Sequence, residues 1–232
     1  MTSAPQNGTR HGLVVAIDGP AGAGKSTVAA HLARTFGLLN LETGAMYRAL
    51  ALKALRGDVV VTDGAAVLAL THSTTITLEP SANGNRVLLD GEDVTAALRN
   101  PDVTQAASQV STHGPVRVWM VNSQRTLGLA APTGVVMEGR DIGTVVFPDA
   151  DVKIFLDASV EARGDRRYAQ QPATESKEDL LRDMRERDKR DRERTESPLR
   201  PADDAVLVDT TGMTLDQVLE RAAAIVAKVA QR

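Results

Sequence analysis

An apolar run, Leu13-Val14-Val15-Ala16-Ile17, leads through Asp18 into Gly19-Pro20-Ala21-Gly22-Ala23-Gly24-Lys25-Ser26, and behind it Val28, Ala29, Leu32, Ala33 and Phe36 recur before Gly37. No other stretch restricts the fold as tightly. The first run reads as a buried strand. The spacing after Lys25 has the period of a helix, which Gly37 ends. Between them the glycines let the backbone wrap closely round an anion, with the N–H groups and dipole of the helix N-terminus pointing at it. The eight residues from Gly19 to Ser26 match the P-loop pattern in the strand-to-helix setting that pattern requires. Gly19, Pro20, Ala21, Gly22, Ala23, Gly24, Lys25, Ser26 and Thr27 are therefore the expected ATP-binding set. Lys25 is placed for the β and γ phosphates and the Ser26 hydroxyl for Mg²⁺. The alternative is a glycine-rich turn that merely joins a strand to a helix.

Further buried strands are expected at Val135-Val136-Met137, Val152 to Leu156 and Ala205 to Val208, separated by enough chain for helical crossovers. That spacing predicts an α/β fold: a parallel sheet flanked by helices on both faces. Between Thr74 and Thr95 the texture changes. Thr75 to Leu78 alternates, Asn83-Gly84-Asn85 marks a turn and Arg86 to Leu89 returns, as in a small antiparallel sheet inserted into the core. Leu215 to Val229 carries an apolar stripe and reads as a packing helix. Residues 1–12 are polar and broken by Pro5, Gly8 and Gly12, and read as a mobile tail without a signal-peptide core. A formal net charge of −3 offers no global attraction for nucleic acid, so an anion site must be local. The absence of cysteine removes disulfides, thiolate catalysis and thiolate zinc sites. His11, His31, His72 and His113 show no metal-ligand spacing.

A second set of residues has the chemistry of an acceptor site. Thr43 precedes a helix whose first turns carry Arg48, and an anion fits between that N-terminus and the guanidinium; a plain cap with a surface arginine is the alternative. Glu138-Gly139-Arg140-Asp141 follows a buried strand, where open α/β sheets place ligand residues. Arg140 suits a phosphate and Asp141 an exocyclic amine, unless the two pair with each other. Glu138 ends the strand expected beside the P-loop strand, within reach of a magnesium shell. In the charge run from Arg182 to Arg194, helical phase puts Leu180, Met184, Arg187, Asp191 and Arg194 on one stripe. A core-facing stripe that turns charged halfway along faces a wet anion-binding cleft or, alternatively, belongs to a surface network. Arg163, Arg166 and Arg167 crowd one side of a helix after Asp157. They read as lid cations that close over the transferred phosphoryl group, or as a cationic surface helix.

Taken in order, Ile17 to Ser26, Thr43-Gly44-Ala45-Met46-Tyr47-Arg48, Ala107-Ser108-Gln109-Val110, Gly139 to Pro148 and Arg187-Asp188-Lys189-Arg190-Asp191 resemble the bacterial cytidylate kinases, a branch of the nucleoside monophosphate kinases. The resemblance runs from Leu13 to Val229. It implies a P-loop core over residues 13–232, an NMP-binding insertion at 71–100 and a lid at 158–178. The implied reaction is transfer of the γ-phosphoryl group of ATP, with Mg²⁺, to CMP or dCMP. It also implies that Thr43, Arg48 and Arg140 meet the CMP phosphate, Asp191 and Arg187 the sugar, and Ser108, Arg117, Asp141 and Arg194 the base. Lys25, Arg48, Arg140, Arg163 and Arg167 would serve catalysis. Glu42 and Glu138 depart from the family, which more often has aspartate there.

Asp141 accepting and Arg117 donating would favour cytosine, whose 4-amino donor adjoins acceptors, over uracil. A cytoplasmic monomer with small-molecule substrates and no nucleic-acid or membrane partner is expected. A kinase acting on both UMP and CMP, or a P-loop ATPase or switch, is the alternative; a switch leaves the second arginine set unused.

Overall fold

The computed structural model describes residues 12–81, 84–170 and 176–230. The proposed tail up to His11, Asn83 of the turn, and residues 171–175 of the lid segment lie outside them. The strand that precedes the P-loop is β1 (Leu13–Asp18), and it is central. Around it the sheet runs β2 (Leu39–Glu42), β6 (Gly134–Gly139), β1, β7 (Val152–Asp157), β8 (Val206–Asp209), all parallel. Period-two alternation sorts β1 between two cores: Val14 and Ala16 face one, Val15 and Ile17 the other. Both faces are buried, so the strand is apolar from Leu13 to Ile17 and turns polar only at its last residue, Asp18.

Helix α1 (Lys25–Phe36) packs with α8 (Leu215–Ala230) on the second face, through Val28, Leu32, Val218, Ala222 and Val226. The helix ends where Gly37 turns left-handed at φ 67°, and its N–H bonds the Ala33 carbonyl. The first face is covered by α2 (Thr43–Arg56), α4 (Pro101–Val110) and α5 (Gly114–Leu129). A short α3 (Gly64–Thr71) precedes the inserted antiparallel sheet, β3 (Ile76–Ser81), β4 (Gly84–Leu89) and β5 (Glu92–Asp93). This sheet buries Leu78, Val87 and Leu89 into the same core. Asn85 ties it down: its side chain accepts from Glu42 N at 3.0 Å and donates to the Asn40 carbonyl at 2.8 Å. Two further helices, α6 (Val160–Gln170) and α7 (Lys177–Glu193), follow β7 and lie against each other.

Two local expectations change. Strand β2 has only four residues, three of them half-buried, and so lacks the apolar run by which the other strands of this sheet are legible. Thr43 is the first residue of α2 rather than its cap. Glu42 occupies the cap position, and the Thr43 hydroxyl donates to the Glu138 carbonyl at 2.7 Å, joining α2 to the end of β6.

Candidate active site

The carboxyl ends of β1, β2 and β6 open into a cleft of about 1160 Å³ that the P-loop floors. Gly19 has φ +149°, and a Cβ there would stand 2.0 Å from the Leu156 carbonyl oxygen. Gly22 has φ +78° and lies against Arg163 and Met184. Glycine is required at both for the loop to keep its path. Lys25 is buried, and its ammonium donates to the Pro20 carbonyl at 2.7 Å, folded onto its own loop. Burial first, then the Arg140 guanidinium, pushes its pKa down to about 7. Ser26 and Thr27 line the cleft, and Ser26 lies beside the Glu138 carboxyl group. Burial, reinforced by the Glu42 carboxylate, raises the pKa of Glu138.

Opposite the loop, five elements supply charged or polar side chains. From α2 come Tyr47 and Arg48, the latter ion-paired with Glu42. From α5, Arg117 is ion-paired with Asp141, donates to the Ser111 carbonyl at 3.0 Å and lies 5.5 Å from the Tyr47 ring centroid. The turn after β6 supplies Arg140 and Asp141. Helix α7 supplies Arg187 and Asp191, with Arg194 just beyond it. Arg140 Nε donates to Asp191 Oδ2 at 2.9 Å, so Arg140 and Asp141 pair outward with α7 and α5 and not with each other. From α4, Ser108 Oγ accepts from Arg190 at 2.7 Å.

This wall is strongly cationic and largely buried. Burial, then Arg140, lowers the Arg187 pKa to about 10. For Asp191 burial acts upward, but Arg140, Arg187 and Arg194 outweigh it and hold the carboxyl below its usual range. Burial raises Tyr47 to about 12. Arg117 Nε, Arg187 Nε, Arg194 Nη2, the Tyr47 hydroxyl and Glu138 Oε1 are buried without a partner, and all belong to residues that line the cleft. Native interiors rarely leave such groups unpaired, so their convergence on one cavity marks a place for a polar, anionic ligand. Among the described residues no cluster of His, Cys, Asp and Glu is large enough to hold a metal alone.

The family model described as cytidylate kinase matches residues 15–228. A cytidylate kinase of Desulfitobacterium hafniense (strain Y51) is 49% identical over 212 residues, 90% of each chain. One of Geobacillus sp. (strain WCH70) is 46% identical over 220 residues, 94% of this chain and 97% of that one. The Geobacillus kaustophilus (strain HTA426) cytidylate kinase is 48% identical over 217 residues, 92% of this chain and 96% of its own. The chain belongs to the cytidylate kinase family.

Within that family frame, the structure gathers Lys25, Ser26, Thr43, Arg48, Ser108, Arg117, Arg140, Asp141, Arg167, Arg187, Asp191 and Arg194 round one cleft. Arg163 is not brought there. It is buried behind the P-loop, donating to the Ala21 carbonyl at 2.9 Å and the Ala158 carbonyl at 2.9 Å and ion-paired with Asp188. The reason is depth along α6: Arg163 lies in the turn that packs against Gly22, whereas Arg167, one turn farther out, reaches the cleft. Arg163 thus supports the loop from outside instead of facing the cleft. Arg166 lines the cleft but is engaged with Thr210. Sequence reasoning passed over Tyr47, Arg190 and Asp18. Tyr47 adjoins Arg48 in the run from Thr43 to Arg48, and Arg190 is three residues, nearly one turn, beyond Arg187.

Proposed function

We propose that the chain transfers the γ-phosphoryl group of ATP to CMP or dCMP, giving ADP and CDP or dCDP. The observation that carries this reading is the joining, in one cleft, of a P-loop with a wall of unsatisfied arginines around the Arg117–Asp141 pair. The membership of the chain in a family whose relatives are named cytidylate kinases supports it. The acceptor phosphate is anionic at neutral pH, so the chemistry needs alignment and charge neutralisation more than a base. Gly19 to Thr27 hold the triphosphate, and Lys25 leaves the Pro20 carbonyl for the β and γ oxygens. Arg48 and Arg140 hold the acceptor phosphate beside Thr43. Arg187 and Asp191 take the sugar, and Ser108, Arg117, Asp141 and Arg194 the base. Residues 71–100 serve as the acceptor-binding insertion. The segment 158–178 serves as the lid, its cation over the moving group being Arg167.

Magnesium fits this site. Ser26 and the unpartnered Glu138 oxygen, with Glu42 near, give few protein ligands, as Mg²⁺ prefers when substrate phosphates complete its shell. When bound it would neutralise charge on the β and γ oxygens. The test is ADP release by purified protein with CMP, dCMP, UMP, AMP and GMP in turn. Turnover with CMP and dCMP far above UMP is expected, and the reading fails if no CMP-dependent ADP appears.

A further inference from the structure

The turn that presents Arg140 and Asp141 begins and ends on a single residue of the neighbouring strand. Asp18 is the last residue of β1 and immediately precedes Gly19 of the P-loop. Its backbone stands in register with Gly139, where the turn leaves β6, and with Phe155 on the other side. Its carboxylate receives the far end of the same turn: Oδ1 accepts from Ile142 N at 2.8 Å and Oδ2 from Gly143 N at 2.7 Å. Arg140 and Asp141 project from the chain between those two attachments. The fit is close, since a Cβ on Gly143 would lie 3.4 Å from Asp18 Oδ2 and 3.2 Å from the aliphatic carbons of Lys153.

We propose that Asp18 is a positioning residue for the acceptor site: it closes the Gly139–Gly143 turn on the strand that carries the donor loop, and so fixes the separation of the two phosphates. This rests on the reading of the cleft as a CMP kinase site. A neutral group would be easier to bury at position 18. Burial raises the Asp18 pKa to about 6 despite the amide bonds from Gly143 and Ile142, with Asp141 raising it further and Lys25 opposing. Only a carboxylate offers two acceptor oxygens to two converging N–H groups. Asparagine has one, and its NH₂ would meet an amide head-on. A shift of the turn by about 1 Å moves Arg140 and Asp141 off their partners, and misplacement of that size costs up to roughly 100-fold in turnover.

The test is Asp18→Asn in the full chain, beside wild type, reading acceptor KM, kcat, MgATP affinity and melting temperature. A roughly tenfold or greater rise in CMP KM or fall in kcat is expected, with MgATP affinity kept within about twofold, because the P-loop amides belong to the loop after β1 and the first turn of α1, not to the Gly139–Gly143 turn. An unchanged CMP KM and kcat overturns the proposal, as does a parallel loss of MgATP affinity and melting temperature, which marks a merely structural role. If Asp18→Asn does not fold, Gly143→Ala displaces the turn with the carboxylate intact. It must then raise the CMP KM severalfold at unchanged MgATP affinity, and equal KM values sink the idea. Absence of CMP turnover in wild type would instead count against the functional reading itself.

Discussion

The donor and acceptor halves of the cleft are built on opposite plans. The donor half is nine consecutive residues, Gly19 to Thr27, that bind through backbone at a helix N-terminus, and no side chain among them is left buried without a partner. Its one cation, Lys25, is parked on the Pro20 carbonyl. The acceptor half is a set of side chains from separate elements, crowded with like charges and with unpaired atoms on Arg117, Arg187, Arg194 and Tyr47. A backbone cradle is complete as soon as strand and helix form. A side-chain wall is assembled only by tertiary packing, and its orphaned donors are satisfied by the ligand. On the proposed function, the first half would confer general triphosphate binding and the second the choice of acceptor.

The largest test of that division is Lys25→Met. The loop amides remain and MgATP still binds, but charge at the moving phosphoryl group goes unneutralised; kcat is expected to fall roughly 1000-fold with acceptor KM little changed. Stopped assays with both substrates, beside nucleotide binding measured by calorimetry, would show it. A loss of MgATP binding as large as the loss of kcat would mean that the side chain, not the backbone, makes the donor site.

On the acceptor side, Asp141→Asn should cost roughly 100-fold in kcat/KM for CMP, the scale of a lost charge-assisted hydrogen bond. It should do less harm with UMP, whose O4 can accept from the new amide. The CMP to UMP ratio then collapses while MgATP affinity holds. The buried Arg117 guanidinium loses its ion pair as well, so a lower melting temperature is expected beside the specificity change. If the ratio stays fixed, Asp141 does not read the base.

These residues were unequally legible in the sequence, for the same reason that the halves differ. The P-loop and the bounds of α1 follow from contiguous residues, and the parallel sheet and inserted antiparallel sheet from runs and turns. The phase of α7 places Leu180, Met184 and Asp191 inward, because helical period survives in a charged segment. Strand order, by contrast, is set by crossovers that no local pattern encodes, and β2 is too short and half-polar to announce itself. Arg163 and Arg167 look alike in sequence, one helical turn apart. Only the packing of α6 against Gly22 and of Arg163 against Asp188 separates the support from the cleft-lining cation. Asp18 shows nothing of its role until residues 142 and 143 fold back onto it.

A smaller effect concerns protons. In the free protein the Lys25 pKa lies near 7, so above that pH the amine is increasingly neutral. Bound phosphates favour the ammonium, and binding at pH 8 must then draw a proton from solvent. Calorimetry in two buffers of different ionisation heat should show uptake approaching one proton, with affinity falling by up to about tenfold per pH unit above 7. Below pH 7 the amine is already charged and uptake through it fades. Lys25→Met should abolish the uptake at pH 8; if uptake persists, another group titrates.

The smallest expected effect probes the acceptor half where it is already paired. In the free protein Arg48 is held by Glu42, with part of both side chains open to solvent. An incoming acceptor phosphate must displace or share that carboxylate, and an exposed pair of this kind is worth only about 1 kcal/mol or less. Removing the charge with Glu42→Gln frees Arg48 and lowers repulsion toward the phosphate, so CMP KM should fall about threefold at unchanged MgATP affinity. The same substitution relieves the charge that raises Glu138, and a lowered Glu138 pKa would strengthen its hold on a cation beside Ser26. Measuring CMP KM at two magnesium concentrations separates the two routes. A fall in KM independent of magnesium assigns the effect to Arg48, whereas a rise in KM means that Glu42 orients the guanidinium for the acceptor and that even this part of the wall is built before the ligand arrives.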